Sequence, residues 1–255
     1  VKADLDSYEC HHGLGYSRFV SSKDGLNADL TAFVPLHETC EINYLKLRND
    51  SDKEKSISLT SYVEFCFWNA VDDATNFQRN LSIGEVEIDG STIYHKTEYR
   101  ERRNHYAFYT VNTPINGFDT SRDEYLGAYG SIEHPKAVVE GTSYNTVASG
   151  GAVIGSHRID LTLAPGEEKT YIFLLGYAEN DDEHKWEALD VINKTPAKAT
   201  IKKFVTDEQV LAALASLKEY WNTLLARYSV SCEDEKLSRM VNIWNQYQCM
   251  VTFNM

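Results

Sequence analysis

Apolar and polar residues alternate along most of the first 179 positions. In one run, Ile57, Leu59, Val63, Phe65 and Phe67 share a parity, while Ser58, Thr60, Glu64 and Cys66 take the other. A period of two places alternate side chains on opposite faces of a sheet. Asn49-Asp50-Ser51-Asp52 is a turn joining that run to Glu41–Leu47. Ala164-Pro165-Gly166 joins Ile159–Leu163 to a largely apolar strand, Tyr171–Tyr177. Both read as hairpins. Shorter runs at Tyr16–Ser21, Asp29–Phe33, Thr92–Tyr99 and His105–Val111 add at least four strands. Strands in this number, with no helix between them, predict a mainly β chain, an antiparallel sandwich rather than a doubly wound sheet.

After Glu179 the period lengthens. Asp181–Lys194 predicts a short helix ended by Thr195-Pro196. Thr206, with Gln209 three residues on, has the form of a capping box. The helix it opens carries Val210, Leu214, Leu217, Trp221, Leu224 and Tyr228 at spacings of three and four. Another helix starts near Asp234, carries Leu237, Val241, Trp244, Gln248 and Val251, and reaches Met255 without a stop signal. Two apolar stripes there need a surface to bury against, so the chain is expected to be cut from a longer, helix-rich protein. The predicted division is a β-sandwich over 1–179, a helical linker over 180–230 and the start of a further helical domain over 231–255.

Composition narrows the class. The 255 residues carry 25 Lys and Arg against 38 Asp and Glu, a formal charge of −13, which disfavours a nucleic-acid partner because phosphate binding rests on clustered cations. No apolar run approaches the roughly 20 residues of a membrane span. The stretch after Val1 has neither the basic start nor the apolar run of a signal peptide, and an initiator Met is missing. Cys10, Cys40, Cys66, Cys232 and Cys249 are scattered and odd in number, which reads as reduced thiols and a cytoplasmic protein.

Few constellations carry chemistry. Cys10-His11-His12 is not expected to bind a metal, because neighbours on a strand point to opposite faces. Asp72-Asp73 cannot supply the facing carboxylates, about 5–10 Å apart, that glycosidases use, and reads as a loop cap. Arg100, Arg102 and Arg103 read as a solvated strand end rather than a phosphate grip. Gly13 and Gly15 open no helix and so form no dinucleotide loop. The informative stretch is 69–80, where Asn, Asp, Gln and Arg residues follow the strand end at Trp68. Such a mixture of amide, carboxylate and guanidinium groups beside aromatic rings suits a neutral polyol, and equally suits an ordered surface loop.

At this loop the chain resembles a known family. Asp72-Asp73-Ala74-Thr75-Asn76-Phe77-Gln78-Arg79-Asn80, followed by Gly84-Glu85-Val86-Glu87, is similar to the cellobiose phosphorylases of glycoside hydrolase family 94. So are Asp6-Ser7-Tyr8-Glu9-Cys10, His12-Gly13-Leu14-Gly15-Tyr16 and Asn245-Gln246-Tyr247-Gln248-Cys249. The loop string favours cellobiose phosphorylase over the cellodextrin and chitobiose enzymes. The resemblance implies a sandwich of the sugar-phosphorylase N-terminal type, here lacking its first strands, then linker helices and the first helix of an (α/α)6 barrel.

It also implies an activity, the inverting phosphorolysis of cellobiose by inorganic phosphate to α-glucose 1-phosphate and glucose, with phosphate as co-substrate and no cofactor or metal. The general-acid Asp and the phosphate-binding residues would lie beyond Met255, so the segment alone is expected to be inactive. Gln78 and Arg79 correspond to residues that bind the acceptor glucose, and Asn76 to one near the subunit boundary of a homodimer. Two rival readings stand beside this one. One is a non-catalytic carbohydrate-binding sandwich whose helices dock on a partner, and the other is a structural interaction domain without sugar contact.

Overall fold

The computed structural model describes residues 3–66, 84–97 and 104–254. Its strands are β1 (Ser7–His12), β2 (Tyr16–Lys23), β3 (Leu26–Phe33), β4 (Cys40–Asn49), β5 (Lys55–Thr60), β6 (Val63–Glu64), β7 (Gly84–Asp89), β8 (Thr92–Thr97), β9 (His105–Val111), β10 (Gly117–Ser121), β11 (Val153–Leu163), β12 (Glu168–Glu179), β13 (Trp186–Ala188) and β14 (Val191–Ile192). One antiparallel sheet has the order β1-β2-β3-β4-β12-β9-β8-β7. A second has the order β10-β11-β5, with β6 added on β11, and β13–β14 is a separate ribbon. The helices are α1 (Arg122–Leu126), α2 (Lys136–Glu140), α3 (Thr195–Lys202), α4 (Asp207–Leu225), α5 (Glu235–Arg239) and α6 (Gln246–Asn254), a π-helical stretch at Met240–Asn245 linking the last two.

The antiparallel sandwich expected from the alternation is present, and a helical layer backs it. Leu45, Leu47, Tyr109, Val111, Tyr171 and Phe173 of the large sheet meet Ile159, Leu161 and Leu163 of the small one. Ile57, Leu59, Val63 and Phe65 all face this core, so their shared parity survives the break in the strand at Ser61 and Tyr62. The opposite face of the large sheet carries Ile42, Tyr44, Tyr106, Phe108, Ile172 and Leu174, and packs on Ala197, Phe204, Val210, Leu217 and Trp221. Both faces of β9 are therefore covered, and all seven of its residues are buried. At about 1.5–3 kcal/mol per buried large apolar side chain, the doubly covered strands contribute most to the fold.

Both predicted hairpins are arches instead. β4 and β5 lie in different sheets, and so do β11 and β12. A turn signal marks a reversal of the chain but not which sheet receives it. The two arches are stitched together by Asn49, which is fully buried. Its N–H donates to the Glu167 carbonyl (3.0 Å) and its carbonyl accepts from the Gly166 N–H (2.7 Å). Its side-chain Nδ2 donates to the Leu163 (2.9 Å) and Lys53 (2.7 Å) carbonyls, and its Oδ1 accepts from the Ser51 N–H (3.1 Å).

The helix expected over 181–194 is absent. Asp182–His184 forms one 3-10 turn and β13–β14 follows. Thr195-Pro196 begins α3 rather than ending a helix, since the first turn needs no N–H from proline. The Thr206–Gln209 capping box is present with both reciprocal hydrogen bonds. Val210, Leu214, Leu217, Trp221 and Leu224 of the α4 stripe lie on the large sheet, so this helix already has its burying surface, whereas Tyr228 falls past the helix end and is exposed. The following helical run is different: Leu237, Met240 and Trp244 are half-exposed or more.

Candidate functional site

One end of the sandwich gathers the start of β4, the end of β12, the start of β9 and the start of β7, since Gly176 pairs with both Cys40 and Phe108. The chain between β6 and β7 includes Trp68, Asp72, Asp73, Asn76, Gln78 and Arg79, and that between β8 and β9 includes Arg100, Arg102 and Arg103. All of these, among them the expected site residues Asn76, Gln78 and Arg79, lie outside the described residues. The structure describes the platform at whose strand ends both stretches begin and end.

Glu64, the last residue of β6, accepts hydrogen bonds from Arg122 Nε (2.9 Å) and Tyr62 OH (2.5 Å). Burial, reinforced by that carboxylate, raises the Tyr62 pKa, so the phenol stays protonated and keeps donating. At the other flank, the Gly150 N–H donates to the Gly84 carbonyl (2.7 Å), and Ser149 bridges Glu85. Arg122 and Gly150 bound an insertion that carries α1 and α2, so this insertion is clamped to both Glu64 and Gly84. His95 packs in the same corner, its ring centroid 5.1 Å from that of Phe65. Burial pushes it down to about 4, against the pull of the Glu85 carbonyl, so the ring is neutral near pH 7. A Cβ on Gly84 would sit 2.7 Å from His95 Cε1, so only glycine fits. That accounts physically for one glycine of the string resembling family 94.

The β7–β8 pair is clipped from outside by charge. Lys96 Nζ lies 3.0 Å from Glu85 Oε2 and 3.2 Å from Glu87 Oε1, and donates to the Asp190 carbonyl at 2.6 Å. Lys194 Nζ lies 2.6 Å from Glu87 Oε2 and 3.0 Å from Glu187 Oε1. Burial opposes ionisation of Glu87, but bonds from Lys194, the Ile192 N–H and Lys96 outweigh it and hold its pKa below the ordinary value. This set, with Lys96, Glu87 and Lys194 largely covered and Glu85 and Glu187 open to solvent, ties residues 186–194 to the strands beside the expected site. Sequence reading missed it; the one available signal was Lys96 interrupting the Thr92–Tyr99 strand.

A cavity of about 480 Å3 opens at the same end, lined by Thr39, Cys40, Glu64, Phe65, Cys66 and Tyr177 among others. Burial, and secondarily Glu38, pushes the Cys40 thiol up to about 12, so it is an inert proton-bearing wall. A larger cleft of about 960 Å3 runs between the β1–β2 turn and the C-terminal helices, with Tyr16, Tyr220, Trp221, Trp244 and Tyr247 along it. Gly15 has φ +79°, and a Cβ there would meet Trp221 Nε1 at 2.8 Å. The His12–Tyr16 string thus serves as a turn seated on α4. Gln246, in the last resembling string, caps the end of α4 by donating to the Leu225 (3.3 Å) and Tyr228 (2.7 Å) carbonyls.

Cys10 and His12 share one face of β1, Sγ to Nε2 at 3.3 Å, while His11 turns to Glu9 at 3.0 Å. The three do not converge, and among the described residues no group of metal-ligating side chains does. All five cysteines are free thiols.

Comparison with known proteins agrees with this architecture. Residues 1–204 match the supersandwich domain of glycosyl hydrolase 94, and residues 220–255 match the catalytic domain of the glycosyl hydrolase 94 superfamily. An N,N'-diacetylchitobiose phosphorylase of Vibrio proteolyticus is 31% identical over 96% of this chain and 29% of its own length. The corresponding enzyme of Vibrio furnissii is 29% identical over 97% of this chain and 30% of its length. A solabiose phosphorylase of Paenibacillus borealis is 27% identical over 98% of this chain and 31% of its length. The chain therefore spans less than a third of these relatives.

Proposed function

Because the chain belongs to the glycosyl hydrolase 94 family, we propose that it is the N-terminal part of an inverting disaccharide phosphorylase. The observation that carries this reading is the succession of the two family domains along one chain, residues 1–204 and then 220–255. Within it, residues 1–179 form the sandwich, 180–230 the linker and 231–255 the beginning of the catalytic barrel. The reaction is attack of inorganic phosphate on the anomeric carbon while a carboxylic acid protonates the departing glycosidic oxygen, with inversion. The acid and the phosphate ligands belong to the barrel beyond Met255. This segment supplies the acceptor side through Gln78 and Arg79, with Asn76 toward a second subunit of a cytoplasmic homodimer. Among the described residues no helix is long and apolar enough to cross a membrane.

Two substrates remain distinct readings. The 72–80 string favours cellobiose, and the 31% identical relative favours N,N'-diacetylchitobiose. The deciding experiment supplies the intact enzyme with phosphate and either disaccharide, and follows release of the α-glycosyl 1-phosphate. Turnover of cellobiose alone supports the first reading, and turnover of the acetylated sugar alone supports the second. Hydrolysis without sugar phosphate would refute the proposed reaction. The 255-residue segment by itself should release none.

A further inference from the structure

Strand β1 carries a nucleophile and a base that the fold does not use. Cys10 and His12 are two residues apart, so both side chains stand on one face of the strand, and both residues are exposed. Cys10 Sγ lies 3.3 Å from His12 Nε2. The other ring nitrogen, Nδ1, lies 3.0 Å from Ser17 Oγ, and Ser17 is the residue opposite His12 in the β1–β2 ladder. A thiol, an imidazole and a hydroxyl thus stand in succession, the imidazole held at both nitrogens. A base within reach of the nucleophile, itself fixed by a third group, is the arrangement that activates a thiol. Two other cysteines lack it. Cys40 is buried, and the exposed Cys232 directs its sulfur to the Asp234 carbonyl (3.2 Å) and the Ser238 hydroxyl (3.3 Å), neither of which is a base near pH 7.

The neighbouring cleft selects the reagent. His12 and Ser17 both line the 960 Å3 cleft between the β1–β2 turn and the C-terminal helices, so the base opens onto a space large enough for the departing half of an organic disulfide. We infer that Cys10 is a site of reversible thiolation by small-molecule disulfides. Ser17 Oγ accepts from Nδ1–H, which leaves the Nε2 lone pair for the thiol. Nε2 takes the thiol proton as Sγ attacks one sulfur of the disulfide. A new S–S bond forms and the old one breaks, and the departing sulfur leaves as a thiolate that collects the proton from Nε2. Cys10 is oxidised, the departing sulfur is reduced, and no further reagent enters. A second exchange with a small thiol restores Cys10.

The test exposes the intact protein to oxidised glutathione and follows the mixed disulfide at each cysteine by peptide mass spectrometry. Cys10 should be modified faster than Cys232, and dithiothreitol should restore it. His12→Gln should slow modification of Cys10 by about 10- to 100-fold, less than an enclosed general base contributes because this pair is open to water. Ser17→Ala should slow it by about 3-fold, since only the hold on the ring is lost. The rate at Cys232 and the melting temperature should stay at the parent values in both variants, because the three groups lie at the edge of the sheet. Absence of an adduct at Cys10 overturns the inference, and so does a His12→Gln variant that keeps the parent rate there. Equal slowing at Cys10 and Cys232 overturns it as well, since the substitution would then act through the fold and not through the base.

Discussion

Taking the pH from 7 to 4.5 should cost this chain about 5 kcal/mol of folding stability, because two histidines are buried as neutral rings. Burial pushes His95 and His157 down from 6.5 to about 4. His157 lies 4.7 Å from Tyr109 centroid to centroid and keeps its Nδ1 3.2 Å from Ser61 Oγ. Between the two pKa values the unfolded chain binds protons that the folded chain does not, so stability rises with pH there and falls as pH drops. Integrating from pH 7 to 4.5 gives about 2–3 kcal/mol per ring. Glu87 contributes little in this interval, because its folded carboxyl is held below the ordinary value and its unfolded carboxyl only begins to take up protons as pH approaches 4.5. Asp119 works the other way, since burial raises its carboxyl and protonation relieves it. Urea denaturation across the interval should show stability changing by roughly 2 kcal/mol per pH unit between pH 5 and 6, a little under two protons' worth. His157→Gln should halve that slope. A total change under about 2 kcal/mol, or an unaltered slope in His157→Gln, would refute the premise that both rings stay neutral.

Glu87→Gln removes the carboxylate shared by Lys96 and Lys194 while leaving each its second partner, Glu85 and Glu187, and should lower stability by about 1–3 kcal/mol at pH 7, read from the urea midpoint. Asn49→Ala strands the buried Leu163 carbonyl and unpins both arches. A loss of about 2–4 kcal/mol is expected by thermal or chemical denaturation, and one below about 0.5 would mean the backbone bonds alone hold the corner. In the intact enzyme, Arg79→Ala should weaken use of the acceptor sugar by about 10- to 150-fold, the worth of a charge-assisted hydrogen bond, with the sugar phosphate little affected; an unchanged acceptor KM would remove Arg79 from the site.

Local patterns determined much of this protein. The parity of Ile57, Leu59, Val63 and Phe65 set which side chains face the sandwich core, and it did so across an interruption, because side-chain alternation is a property of the strand itself. The Thr206–Gln209 box set the start of α4 for the same local reason. The strings resembling family 94 also pointed to the correct family over most of the chain. Tertiary structure decided what depends on partners distant in sequence. Arch or hairpin at Asn49 turned on a bond to Leu163, 114 residues away. The expected helix over 181–194 gave way to a ribbon held by Lys96 and Glu87, about a hundred positions earlier. The platform of the candidate site, Glu64 with Arg122 and Gly84 with Gly150, exists only because an insertion folds back on two strand ends. No periodicity encodes such a closure, since its energy comes from burying polar groups together rather than from any run of the chain.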